Sequence, residues 1–103
     1  MISINIIKSY RDVVAICDKE LLGKIFEEPF EGGIKQLDIK ESFYKGEESD
    51  IENAKKIMQR MSDEDATFNI VGQRSVNVAI ESGIITPEEV MEVSGIPFAL
   101  VLV

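Results

Sequence analysis

The alternation of apolar and polar residues changes period several times along the chain, and each change marks an element. Over residues 3–9, Ile4 and Ile6 alternate with Ser3, Asn5 and Lys8, the two-residue period of a strand with one buried face. Tyr10-Arg11-Asp12 is a turn, and the β-branched run 13–17 returns as a second strand, so the chain opens on an antiparallel hairpin. Asp18 is placed to cap a short helix over 19–22 that Gly23 ends. Residues 24–28 read as a short strand, closed by the turn chemistry of Pro29-Phe30-Glu31-Gly32-Gly33, and 34–40 as another, with Leu37 and Ile39 on one face. Phe43-Tyr44-Lys45-Gly46 then leaves the sheet in a turn.

The period becomes helical after Ser49-Asp50-Ile51-Glu52, which has the form of a capping box. Ile51, Ala54, Ile57, Met58 and Met61 share one face, which predicts a helix at about 50–61. The stretch from Asn69 to Ile85 is ambiguous. Phe68, Val71, Gly72, Ser75, Val76, Ala79 and Ile80 fit one helical stripe, but Ile70 falls off it, and 67–71 is made of strand formers. The favoured reading is a strand at 67–71, a joint at Gly72 and a helix at 73–82; one long helix is the alternative. Thr86-Pro87-Glu88-Glu89 is a second capping box, predicting a helix at 87–93 in which Met91 joins Met58 and Met61 as core filler. The apolar run 96–103 predicts a terminal strand covered on both faces, tied into the sheet or into a neighbouring subunit. The fold class is α+β on a mixed sheet, in one domain of 103 residues.

Composition narrows the chemistry. Histidine is absent, which removes Ser-His-Asp and Cys-His activation and every His-containing metal site. Cys17 is alone, so no intrachain disulfide can form, in keeping with a reducing compartment. No run approaches the length of a membrane span, and 1–12 lacks the pattern of a signal peptide; the expected location is cytoplasmic. The net charge of −8 opposes non-specific nucleic-acid binding, although residues 1–46 are near neutral and leave a specific RNA contact open.

The order of four motifs resembles an archaeal family known only as domain of unknown function 424. They are Cys17-Asp18-Lys19-Glu20-Leu21-Leu22-Gly23-Lys24, Phe43-Tyr44-Lys45-Gly46, Asn69-Ile70-Val71-Gly72 with Val76, Ala79, Ile80 and Gly83, and Gly95-Ile96-Pro97-Phe98-Ala99. The resemblance implies a two-layer α/β sandwich and a cytoplasmic protein, and it carries over no catalytic residue and no cofactor. Family members often place an acidic residue after the Gly of the third motif, where this chain has Gln73.

Two sets of residues are candidates for function. A strand–Gly–helix joint presents free backbone amides at a helix start, so Asn69, Gly72, Gln73, Arg74 and Ser75 form a candidate anion or nucleotide site, though the pattern is neither a P-loop nor G-x-G-x-x-G. Phe43, Tyr44 and Lys45 form a candidate interaction surface, with two rings beside a cation. Cys17 reads better as a small buried residue than as a nucleophile, and the acidic runs at 47–48 and 63–65 as solvated surface. No catalytic constellation is recognisable. The expected function is therefore a small interaction or adaptor domain whose partner is an unidentified protein or a second copy, with anion binding as the alternative and RNA or ribosome association as a weaker one.

Overall fold

The computed structural model describes residues 1–102; the predicted terminal strand includes Val103, which lies outside them. The hairpin at the N-terminus is β1 (Ile2–Ile7) and β2 (Val13–Asp18), in antiparallel register from Ile2 opposite Asp18 to Ile7 opposite Val13. A second hairpin, β3 (Ile25–Phe30) and β4 (Gly33–Asp38), turns on Glu31 and Gly32. Then come the one-turn helix α1 (Glu41–Tyr44), β5 (Glu47–Ser49), α2 (Ile51–Asp63), β6 (Thr67–Val71), α3 (Gln73–Glu81), β7 (Met91–Val93) and β8 (Ile96–Val101). Six strands form one mixed sheet in the order β5-β1-β2-β6-β8-β7, and β3 with β4 forms a separate two-stranded sheet. The single parallel pairing among the described residues is β2 with β6. The fold is α+β, as predicted.

Both faces of the sheet are used. On one, Ile4, Val14, Ile16, Phe68 and Ile70 pack with Met58 and Met61 of α2 and with Val76 and Ala79 of α3. On the other, Ala15, Cys17, Val71 and Val93 pack with Leu37, Ile39 and Tyr44 of the β3–β4 and α1 segment. Cover on both faces is why 13–17 is apolar at every position instead of alternating. Ile70, the residue that fitted no helical stripe, is fully buried in β6. The strand–joint–helix reading of 67–82 is the correct one.

Several expectations change. The N-cap of α2 is Asp50, whose carboxylate accepts the Asn53 amide at 2.8 Å, whereas Ser49 belongs to β5 and spends its hydroxyl on the Asp50 carbonyl. The second capping box does form at Thr86 and Glu89, but the helix predicted at 87–93 is only a 3-10 turn, Pro87–Glu89. Residues 91–93 instead pair with β8, because sheet pairing there outweighs a helix too short to stand alone. Met91 is accordingly an exposed strand residue and not a core filler. Residues 19–22 likewise give only a 3-10 turn, Lys19–Leu21, and Asp18 makes no side-chain hydrogen bond to it. The segment read as a turn at 43–46 contains the last half of α1, and β5 was not foreseen.

The outer strands are shorter than their neighbours. β5 pairs only with Ile2, Ser3 and Ile4, and β7 only with Ile96, Pro97 and Phe98. The outer edges of β1 over 5–7 and of β8 over 99–101 therefore have no strand beside them among the described residues.

Candidate functional site

The joint at Gly72 is built around a carboxylate from another element. Asp18, at the end of β2 and 4% exposed, accepts the Arg74 amide at 3.2 Å, the Ser75 amide at 2.9 Å and the Ser75 hydroxyl at 2.9 Å. The parallel pairing of β2 with β6 sets Cys17 opposite Val71, so Asp18 arrives beside Gly72 where α3 starts. The negative charge stands at the positive end of the helix dipole, and the donors it satisfies would otherwise be buried without partners. Gly72 carries no side chain because there is no space for one. A Cβ there would lie 2.4 Å from the Asp18 carboxyl carbon.

The structure places Gly72, Gln73, Arg74 and Ser75 at the start of α3 and separates Asn69 from them. Asn69 lies opposite Ala15 and Leu100, on the sheet face away from α3. Gln73 is spent along its own helix, donating to Asn77 at 3.0 Å. Arg74 donates to both carboxylate oxygens of Glu20, one at 2.7 Å, and that guanidinium holds the Glu20 carboxyl below its ordinary range. The helix start thus already carries two acidic residues, Asp18 and Glu20, where an external anion would have to sit. Asp18 is the residue that the sequence reading assigned to the wrong helix. Its partners lie 56 and 57 positions away, and no local pattern announces them.

The second set divides between core and surface. Tyr44 is buried in the cluster with Leu37 and Ile39, its ring edge-on to half-buried Phe43 at 5.0 Å, and only Lys45 is fully exposed. The Ser3 hydroxyl donates to the Tyr44 carbonyl and accepts the Gly46 amide, and Asn5 donates to the Phe43 carbonyl. These bonds dock α1 on β1, so the Tyr44 ring offers no free stacking face.

The nucleophiles Ser75 and Cys17 and the Tyr44 phenol are shielded. Ser75 is fully buried and its hydroxyl is committed to Asp18. Burial first, and then the neighbouring Asp18 carboxylate, push the Cys17 thiol up to about 12 from its ordinary 9.0; burial pushes the Tyr44 phenol up to about 12 from 10.0. Both groups are neutral in the fold and ionise more readily once unfolded. Their contribution to stability is complete below the unfolded values and is lost as pH rises through the folded ones. Urea midpoints should therefore fall steadily above about pH 9 and continue falling towards pH 12, and Cys17 should react with a disulfide reagent only at the rate of opening. Rapid native labelling would disprove the shielding. Among the described residues, no three His, Cys, Asp or Glu side chains converge on a metal-sized space, and no helix is long and apolar enough to cross a membrane.

Together these features define a small α+β domain with an internally capped strand–helix joint and two partly open sheet edges. The chain belongs to the family described as protein of unknown function (DUF424), whose model matches residues 7–103. It is similar to the crystal structure of an uncharacterized conserved protein from Methanopyrus kandleri, with 27% identity and a TM-score of 0.80 over 96% of this chain and 88% of that one. No curated protein matches the chain.

Proposed function

We propose that the protein is a small non-enzymatic interaction domain that associates with itself through its C-terminal strand. The observation that supports this reading is the free outer edge of β8 over 99–101 together with the apolar strip beside it. Leu100 is 44% exposed and Met91 45%, and they share a face with half-buried Phe98. Residues 96–102 contain no ionisable side chain. An unpaired edge presents a row of main-chain donors and acceptors, and natural edges are normally blunted by a charge or a bulge. This one carries neither. For a chain of net charge −8, a charge-free edge is also the surface on which a second copy is repelled least. Antiparallel pairing of two β8 edges about a two-fold axis satisfies both rows and closes the assembly.

Anion binding at the joint has less support, since Asp18 already supplies the negative charge that a ligand would bring. Sedimentation velocity over a concentration series tests the main reading. Self-association is expected, and Leu100→Asp, which places two carboxylates across the two-fold axis, should weaken it at least about tenfold. A monomer at every concentration defeats the proposal.

A further inference from the structure

The free edge of β1 has a different character from that of β8. Between β1 and α2 lies a cleft of about 500 Å³, within the range of small-molecule sites. Its apolar wall is Ile4, Ile6 and Ile57, which all belong to the helix-side core cluster or pack against it. Four polar residues line it as well. Two are already occupied: the Ser49 hydroxyl bonds the Asp50 carbonyl and the Asn53 amide, and the Asn5 amide bonds the Phe43 carbonyl. The other two, Glu47 and Arg60, make no side-chain hydrogen bond or ion pair among the described residues, not even with each other.

One cleft therefore holds an uncompensated carboxylate, an uncompensated guanidinium too far off to pair with it, and an aliphatic wall. A ligand complementary to all three carries an ammonium, a carboxylate and a branched hydrocarbon group. We infer that the β1–α2 cleft binds a free aliphatic amino acid, with Arg60 taking its carboxylate, Glu47 its ammonium and Ile4, Ile6 and Ile57 its side chain. A planar guanidinium fork suits a carboxylate in particular, and neither charged group needs to be stripped of an existing partner on binding. The site is separate from the β8 edge and does not depend on self-association.

The test is an amide-resolved NMR titration of the full chain with L-leucine, 4-methylpentanoate, which keeps the carboxylate, and 3-methylbutylamine, which keeps the ammonium. L-leucine should give saturable shifts at Asn5, Ile6, Ile57 and Arg60, and each single-charge analogue should bind at least about threefold more weakly, the range of one exposed ion pair. Glu47→Gln should abolish the advantage of leucine over the acid, and Arg60→Gln its advantage over the amine. Both positions are exposed, so both variants should melt as the parent does. The inference fails if leucine gives no saturable shift at the cleft up to about 20 mM, a weak limit for a specific site. It fails equally if the analogues match leucine, or if the two substitutions leave its binding unchanged.

Discussion

Gly72→Ala will destabilise the protein by about 2–5 kcal/mol, from two sources that add at one carbon. The first is backbone conformation: φ of 104° with ψ of 155° is open in practice only to glycine. The second is collision, since the new methyl would stand 2.4 Å from the Asp18 carboxyl carbon and 2.7 Å from each of its oxygens. Neither can relax cheaply, because Asp18 is held by three hydrogen bonds and the Gly72 amide donates to the Pro97 carbonyl at 2.8 Å. Urea unfolding followed by circular dichroism measures the loss. A variant within about 0.5 kcal/mol of the parent, as ordinary surface changes are, would refute the geometry.

Asp18→Ala is expected to cost about 2–4 kcal/mol by the opposite route, removing an acceptor instead of adding bulk. Two amides and a hydroxyl, those of Arg74 and Ser75, would be left without their partner where water has little access. Asp18→Asn keeps an acceptor oxygen but gives up the charge at the helix start, and should fall between parent and alanine. The two sites are also coupled. In an Asp18→Ala background Gly72→Ala should cost about 1 kcal/mol less, because the collision is gone while the backbone strain persists. Strict additivity would mean that the carboxylate is not where the structure places it.

Much of this fold was legible in the sequence because its main signals are local. The N-terminal hairpin, α2 and the strand–Gly72–helix joint all follow from periodicity and turn residues within a window of a few positions. The elements that were misread depend on partners far along the chain. Residues 91–93 contain nothing that opposes a helix; they are a strand because Phe98 and Ile96 lie beside them. β5 is three residues of acidic and polar sequence that would not be chosen as a strand, and it exists because the β1 edge receives it. At the candidate site, the sequence Gly72-Gln73-Arg74-Ser75 pointed to helix-start amides open to an external anion, and in the structure the Arg74 and Ser75 amides donate to Asp18. What the sequence could not convey was that the charge comes from within. Only the parallel alignment of β2 with β6 brings Asp18 to them.

The strand order has a consequence for how the sheet is held together. β1 and β2 precede the other described strands in the chain, yet they lie inside the sheet, with β5 on one flank and β6, β8 and β7 on the other. The central ribbon precedes in the chain the elements that cover it, and β5, β6 and β8 each dock on an edge formed by an earlier strand, whereas β7 has no edge to join until β8 follows it. β8, near the end of the chain, is laid against β6. The outer strand β7 is thus held in the sheet only through β8, so loss of the β6–β8 pairing would release both strands together.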